Sequence, residues 1–585
     1  MKVSEIIYHK LLQHNIKHVF GYSGGACLPL LDQFHKSKYI KFLKNSNENC
    51  SGFVAEGYTK SLNHSKPGVI ISTSGPGVTN LITPLQNALS DGSPLVAISC
   101  QVPTHAINTQ AFQECKAIEL TKHCTKWNTF ISDPDKISDI IDEAFSISLQ
   151  SRKGPVHIDI PKDILLQETQ KYNIHGNPQY ETIETLHVDS HIKHILVNSE
   201  RPILCVGQGC THLSEEITDF CETYKIPVTS TIHGMGVVSE NNKLSLQMCG
   251  MHGNPRANIA IQEADLIIGL GIRFDDRITG LLSEYAPNAR SNHGIIHIDS
   301  SKDQISLVKN NFNNNFTSTD FLHQIHTTTG NFINTYNKLY ISPYTLYTRQ
   351  LWNQKIRKLD YDYYQSPSSR ITTPCVIKKI NKVIENNNIN RDKLFISTGV
   401  GNHQMWTAQH ITWTKPQRMI TSGSLGTMGV GVPFAIGSKL ANPQSTVLCI
   451  DGDSSFNMTS NELQTILENN INVKIAIMND KRQQMVYTWQ KLFHDSRIIA
   501  TENINPDYNK LSEAYEIHNI YCNSYESLEK DITDFMLYDK GPVIAVFDVE
   551  PSMCFPLVSP GKALHKMILS DKDITTINTK QVAPN

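Results

Sequence analysis

Across 585 residues the chain lacks most of the features that would place it quickly. Its thirteen cysteines form no C-x-x-C pair, and Cys205 and Cys449 lie inside apolar, strand-like runs. They read as reduced, buried thiols of a reducing compartment, which argues against a disulfide scaffold. No apolar run approaches the roughly 18 residues of a membrane-spanning helix. No long Lys/Arg block accompanies the formal net charge of −2, so neither nucleic acid nor an anionic membrane is expected as the main partner. The glycine-rich turn GYSGG is followed by no Walker or dinucleotide fingerprint. Met1 leads directly into an amphipathic helix over 3–14, so no signal or transit segment is predicted. Asn, Ile and Lys are abundant, as in NNFNNNF over 310–316, which suits an organellar or A+T-rich bacterial gene. Plastid stroma or bacterial cytoplasm is therefore the expected location. The length is too great for a single core and points to three or four domains.

What is present is organised around residues 446–490. An apolar run over 446–450 is too short for a helix and rich enough in Val, Leu and Ile for a buried strand. Asp451, Gly452 and Asp453 follow as a tight polar turn. Thr459 and Glu462 have capping-box spacing before Leu463, Ile466 and Leu467, which predicts a helix. A second apolar run over 473–478 ends in Asn479 and Asp480. This is a βαβ unit, expected to be right-handed with parallel strands. Ligands of such sheets bind beyond the carboxyl ends of the strands, where Asp453 and Asp480 both lie. On neighbouring strands about 4.8 Å apart, both could reach one small cation. Oxygen ligands beside a helix N-terminus suit Mg²⁺ holding a diphosphate. A solvated Asp-Gly turn and a surface Asn-Asp turn are the alternative readings of the two turns taken singly.

The rest of the chain divides into a first domain over 1–165, a central domain over 190–335, a third over 365–555 and a polar tail over 556–585. The stretches 166–190 and 336–370 read as linkers. In the first domain, strand, turn, helix and strand recur over 69–99, so the first and last thirds resemble two copies of one architecture. Two related sheets suggest a cofactor held between them. Glu48 opens a helix that continues past Glu56, and the residues alone give these two carboxylates equal standing. KGPVHIDIPKDI over 153–164 is an alternating strand stopped by Pro161. The central domain shows four strand-like runs, each ending in small or polar residues, so a parallel sheet with a ligand crevice is expected. The glycine density over 423–431 suits backbone packed close to a bound group, or a helix start with small residues for packing.

GYSGGA, STSGPGVTNLIT, QVP with AFQE, PVHIDIPKDI, MHG, RFDDRITG, HIDS, GNHQMW, TSGSLGTMG and the metal stretch together resemble, in order, the catalytic (large) subunits of acetolactate synthase. These are thiamine diphosphate enzymes. The resemblance implies an α/β protein of three domains, each with a central, mostly parallel sheet flanked by helices: two related thiamine diphosphate domains and a middle FAD domain. It implies a transferase that decarboxylates pyruvate and joins the two-carbon product to pyruvate or 2-oxobutyrate, in valine, leucine and isoleucine synthesis. Thiamine diphosphate and Mg²⁺ are the implied working cofactors, with FAD structural and non-redox.

By position in these motifs Glu48 is the implied catalytic glutamate, acting on the aminopyrimidine ring, with Gln113, Lys162 and Arg277 also at the reacting centre. Gly401, Asn402, His403, Gly426, Met428, Gly452, Ser454 and Ser455 match thiamine diphosphate positions, Met428 propping the cofactor in its bent shape. Asp453, Asp480 and the backbone of Arg482 match the metal ligands. Arg152, His252, Arg273, Asp299 and Asp320 match FAD contacts. Phe112, Met251, Asp276 and Trp489 match the channel for the second 2-oxo acid. A homodimer with the cofactor at the subunit interface is implied, and a small regulatory subunit by analogy.

The chain departs from the family at several of these places. Asn47 stands for a histidine, Cys50, Cys100 and Ser454 for glycines, Gly399 for an aspartate, Asp480 for an asparagine, and KRQQ over 481–484 for Gln-His-Leu-Gly. Two alternatives follow from these changes: another thiamine diphosphate and FAD enzyme such as a pyruvate oxidase, or a degenerate, non-catalytic paralogue.

Overall fold

The computed structural model describes residues 1–36, 39–173, 186–359, 368–570 and 573. Three six-stranded sheets follow one another along the chain. The first contains β1 (His18–Gly21), β2 (Lys41–Lys44), β3 (Gly68–Ser72), β4 (Leu95–Gln101), β5 (Trp127–Phe130) and β6 (Pro155–Pro161). The second contains β7 (Pro202–Val206), β8 (Val228–Ser230), β9 (Ser245–Met248), β10 (Leu266–Leu270), β11 (Ile295–Asp299) and β12 (Leu322–His326). The third contains β13 (Leu394–Thr398), β14 (Met419–Ile420), β15 (Thr446–Gly452), β16 (Lys474–Asn479), β17 (His518–Cys522) and β18 (Val543–Asp548). Every pairing within them is parallel. Central strands such as LVAISCQ and PVHIDIP are buried along their whole length, as a sheet covered by helices on both faces requires.

Strand order separates the three. The first sheet runs β2-β1-β3-β4-β6-β5 and the third β14-β13-β15-β16-β18-β17, the same order when each is counted from its own first strand. The expected duplication is therefore present in the topology. The middle sheet runs β12-β11-β10-β7-β8-β9, which from its other edge is 3-2-1-4-5-6, the order of dinucleotide-binding sheets. Its two outer strands, β9 and β12, are additions to the four that the sequence suggested, because short, half-polar edge strands lack a continuous apolar run.

The first and third domains share a core. The helix Glu48–Ser61 lies against the helix Gly431–Ala441, and Phe53 meets Phe434 edge to face at 6.2 Å. Glycine makes the approach possible, since a Cβ on Gly437 would stand 2.1 Å from the Val54 carbonyl oxygen.

Three local expectations need correction. Thr459 and Glu462 do not form a capping box. A short helix Asp453–Asn457 leaves β15 directly, and the Thr459 hydroxyl donates to the Gly429 carbonyl (2.7 Å). Glu462 instead reaches into the first domain, accepting from Asn45 Nδ2 (2.9 Å) and from the backbone N–H (2.8 Å) and hydroxyl of Ser46. The stretch 336–370 is not only linker, because the helix Pro343–Arg357 buries Arg349, Trp352 and Ile356; residues 360–367 lie outside the described residues. Within the tail, 556–570 is more than a polar extension. It forms an antiparallel ribbon, β19 (Leu557–Val558) with β20 (Met567–Ile568), laid on the middle domain, Val558 N–H donating to the Met251 carbonyl (2.8 Å). The end of the tail, 574–585, lies outside the described residues. Among those residues no helix is long and apolar enough to cross a membrane.

Candidate active site

Glu48 is the first residue of its helix, with Asn47 as N-cap accepting the Cys50 N–H (2.8 Å). The asparagine that replaces histidine thus does ordinary capping work. Glu48 is buried beyond the carboxyl end of the first sheet, where Asn80 Nδ2 donates to its Oε2 (3.1 Å). Its Oε1 lies 3.4 Å from where a Cβ on Gly77 would be, and among the described residues the hydroxyls of Ser72 and Thr73 at the end of β3 have no partner. Glu56 is different. Fully buried, it accepts from Asn87 (2.8 Å) and Ser93 (3.0 Å) and pairs with Lys60 (2.9 Å). Both oxygens of Glu56 are engaged within the fold, whereas among the described residues the hydrogen bond to Glu48 falls on Oε2.

At the matching end of the third sheet, β15 and β16 pair in register to Gly452 and Met478, so Asp453 and Asp480 emerge side by side. The Ser454 N–H donates to Asp453 Oδ1 (2.8 Å) and Asn505 Nδ2 donates to Asp453 Oδ2 and Asn479 Oδ1 (2.8 Å). The Arg482 N–H donates to Asp480 Oδ1 (3.0 Å). Burial, with the Asp453 charge next to it, pushes the Asp480 carboxyl up to about 8, and burial raises Asp453 as well. Among the described residues neither has an ion-pair partner, the charge of Arg482 only partly offsetting the cost at Asp480; two neighbouring carboxylates so placed fit a divalent cation. The serine at 454 is accommodated because its hydroxyl accepts from Asn503 Nδ2 (2.5 Å).

Further in, His403 and Asp451 are both buried. His403 Nε2 lies 3.3 Å from Asp451 Oδ1 without hydrogen-bond geometry, and among the described residues that nitrogen and Asp451 Oδ2 lack partners. A Cβ on Gly399 would stand 1.9 Å from Asp451 Oδ1, so the glycine that replaces aspartate leaves the space Asp451 occupies. Gly426 has φ +74° with open space on its Cβ side. Orphaned polar atoms beside glycine backbone fit a bound polar group such as a diphosphate.

A cavity of about 1240 Å³ opens at the carboxyl ends of the middle sheet, between all three domains. Arg152, His252, Arg273 and Asp299 line it, as do Met251, Arg277, Gly426 and Trp489. Its volume exceeds that of an ordinary small-molecule pocket, as a dinucleotide would need. Arg152 is lowered to about 10 by burial and by the neighbouring Arg273 charge. Two adjacent guanidiniums at the end of a 3-2-1-4-5-6 sheet fit an anionic dinucleotide. His252 is lowered to about 4 by burial, its Nδ1 lying 3.0 Å from the Pro556 carbonyl of the tail ribbon. Met251, Arg277 and Trp489 form one wall; Arg277 Nη1 donates to the Met251 sulfur (2.9 Å) and Trp489 packs on Phe493 at 5.5 Å.

Asp320 does not belong to this cavity. It lies exposed before β12, at the amino end of the sheet, where Ser318 Oγ donates to it (2.8 Å). The residue in register with Asp299 at the carboxyl end is His326, whose Nε2 lies 3.1 Å from the Ser300 carbonyl. Counting along a polar, asparagine-rich segment missed this because β12 has no apolar run to anchor the register. Phe112, Gln113, Lys162 and Asp276 do not line the cavity either. Phe112 is 88% exposed and Lys162 opens a short helix behind Pro161, both on the first domain with Glu48. Sequence reasoning also passed over Asn80, Asn503 and Asn505. Asparagines between apolar runs carry no periodic signal, so only packing reveals them.

Comparison with known proteins agrees with this layout. Residues 1–120 match the N-terminal TPP-binding domain of thiamine pyrophosphate enzymes, 190–313 their central domain and 399–549 their C-terminal TPP-binding domain. The chain is 39% identical to the mitochondrial acetolactate synthase of Schizosaccharomyces pombe, the match covering 97% of this chain and 86% of that one. It is 37% identical to the mitochondrial acetolactate synthase catalytic subunit of Saccharomyces cerevisiae, over 98% and 85%. It is 34% identical to the large subunit of acetolactate synthase isozyme 2 of Escherichia coli, over 97% and 99%.

Proposed function

The chain belongs to the family of acetolactate synthase catalytic subunits, thiamine pyrophosphate enzymes, and from that premise we propose how its own residues carry the reaction. Two 2-oxo acids are joined with loss of CO₂: two pyruvates give 2-acetolactate, and pyruvate with 2-oxobutyrate gives 2-aceto-2-hydroxybutyrate. Thiamine diphosphate supplies the nucleophilic carbon and the electron sink for decarboxylation.

The observation that carries this reading is the division of labour between two sheets of one topology. The first presents Glu48, a buried carboxylate that Asn80 holds by one oxygen, and the third the neighbouring pair Asp453 and Asp480, neither with an ion-pair partner among the described residues. Asp453, Asp480 and the Arg482 backbone would hold Mg²⁺ and through it the diphosphate. Gly401, Asn402, His403, Gly426, Gly452, Ser454 and Ser455 would hold the thiamine diphosphate and Met428 would support its ring system. Glu48 holds and moves a proton at the pyrimidine, with Asn80 fixing one of its oxygens. FAD would lie in the cavity against Arg152, His252, Arg273 and Asp299, as a structural group. The Met251, Arg277 and Trp489 wall would receive the second acid, Arg277 orienting its carboxylate.

Glu48, Phe112, Gln113 and Lys162 sit on the first domain, apart from the cavity wall that Asp276 adjoins. Tyr22, Leu28 and Phe112 there, and Leu425 and Met458 on the third domain, expose large apolar surface. A homodimer that brings one subunit's first domain to the other's third would cover both and complete the site. A small regulatory subunit is proposed because the chain matches a protein named as a large subunit. The Asn-, Ile- and Lys-rich composition supports plastid stroma or bacterial cytoplasm as the location.

The test is acetolactate formation from pyruvate by purified protein, with and without thiamine diphosphate and Mg²⁺, while the flavin spectrum is recorded. Cofactor-dependent acetolactate with FAD staying oxidised is expected. Pyruvate consumption with bleached flavin would make the protein an oxidase, and bound flavin without turnover a non-catalytic paralogue.

A further inference from the structure

The three domains meet on a buried ion cluster that no step of the reaction uses. Lys60 Nζ donates to Asp91 Oδ2 (2.7 Å) and to the Thr421 carbonyl (2.7 Å), lies 2.9 Å from Glu56 Oε1, and sits 4.7 Å from the centre of the Phe434 ring. Asp91 accepts the Gly423 N–H on Oδ2 (3.2 Å) and the Ser424 N–H on Oδ1 (2.8 Å), with His233 Nε2 3.3 Å from Oδ1. Burial alone would raise Asp91, yet the charges of Lys60 and His233 hold it well below the usual carboxylate range. On the other side, Asn87 joins Glu56 to the same loop, its Oδ1 accepting from Ser422 Oγ (2.6 Å) and Thr427 Oγ1 (2.9 Å). Ser422 Oγ in turn accepts the N–H groups of Gly426 (3.1 Å) and Thr427 (3.0 Å).

The loop 421–427 is thus held along its length by the first domain. One side of it lines the cavity, where Arg273 donates to Ser424 Oγ (2.8 Å) and to the Ser90 carbonyl (3.2 Å). Its other end carries Gly426 and leads to Met428. Loop glycines are costly to order, and with open space on the Cβ side of Gly426 its backbone is held through the N–H that Ser422 Oγ accepts.

We propose that Asp91, with Lys60, is a positioning residue that fixes the 421–427 loop, so that the flavin cavity and the thiamine diphosphate site form together and each cofactor tightens the other. This rests on the cavity being the flavin site. Both Asp91 oxygens accept from donors, so an asparagine there would turn its NH₂ against a donor whichever way it faced.

The experiment titrates the full-length protein with FAD, read by flavin fluorescence, and with thiamine diphosphate and Mg²⁺, read by calorimetry, each with and without the other cofactor. In the unsubstituted protein FAD should tighten thiamine diphosphate by about fivefold or more. Asp91→Asn should weaken each by roughly tenfold or more and abolish the coupling. Lys60→Arg, which keeps the charge, should retain it. If Asp91→Asn fails to fold, Ser422→Ala, which frees the Gly426 and Thr427 N–H groups, should show the same loss. Unchanged affinities and coupling in the variant that folds, or no coupling in the unsubstituted protein, would overturn the inference. Failure of the unsubstituted protein to bind flavin would instead overturn the cavity reading, and the inference with it.

Discussion

The first and third domains share a strand order, and each buries an aspartate in a central strand. On β6, Asp159 is satisfied, accepting from Ser99 Oγ (2.5 Å) and Gln101 Nε2 (3.1 Å). On β15, Asp451 keeps one oxygen that has no partner among the described residues, beside a His403 nitrogen equally without one there. The same contrast separates Glu56, enclosed by Lys60, Asn87 and Ser93, from Glu48, held on one side by Asn80. Topology sets where a carboxylate can stand. Whether the fold has already used its lone pairs decides whether it is left for chemistry.

The strongest way to break this comparison is to exchange the two glutamates' fates. Glu48→Gln should lower acetolactate formation by roughly 10²–10⁴-fold, the range of a lost proton-transfer group, while flavin binding stays near normal. Glu56→Gln should act first on stability and cofactor affinity, removing one side of a buried ion cluster at a cost of about 3–5 kcal/mol. Its turnover at saturating cofactor should fall far less. Thermal melts and saturating kinetics on both variants check this, and equal losses of turnover would erase the distinction.

The metal turn gives the next largest effects. Asp453→Asn should raise the Mg²⁺ needed for half-maximal activity beyond the roughly 10–100-fold that loss of a ligand's supporting residue brings. Asn505→Ala, which strips Asp453 of one donor, should fall within that roughly 10–100-fold range. Mn²⁺ titration followed by electron paramagnetic resonance would rank the two. A larger effect for Asn505 would mean that Asp453 is not the ligand.

How much of this was legible beforehand follows the strength of local signal. Long apolar runs such as those at 95–101 and 446–452 announce buried parallel strands, and the βαβ order around Asp453 is enough to bring Asp453 and Asp480 to one end of the sheet without help from packing. The edge strands β9 and β12 are half polar and carry no continuous apolar run, so neither is legible in the sequence, and it is His326, not Asp320, that stands level with Asp299 at the end of the sheet. Glu462 had capping-box spacing but was claimed by Asn45 and Ser46 some four hundred residues earlier, a tertiary contact that overrides local preference. The helix Pro343–Arg357 hid in a segment rich in Tyr, Thr and Arg because its buried face includes Arg349, whose guanidinium is spent on the carbonyls of Leu196, Ser199 and Tyr224.

The smallest expected effect on turnover concerns Asp159, and it tests the satisfied half of the comparison. Burial raises this carboxyl from its ordinary value to about 6, its bonds from Ser99 and Gln101 only partly offsetting the cost. The folded protein therefore holds the Asp159 proton more tightly than the unfolded chain, and this group's contribution to stability falls as pH rises from about 4 to about 6, then levels. About two pH units correspond to at most about 3 kcal/mol. Asp159→Asn should remove that slope, so the difference in unfolding free energy between parent and variant should change across pH 4–6 and be constant above it. Denaturant titrations at several pH values measure it. Gln101 also donates to the Cys115 carbonyl (2.9 Å), at the base of the loop carrying Phe112 and Gln113, so any loss of turnover should appear as a raised KM for the second acid. A fall in kcat with KM unchanged would mean that Asp159, although its lone pairs are taken, belongs with Glu48 after all.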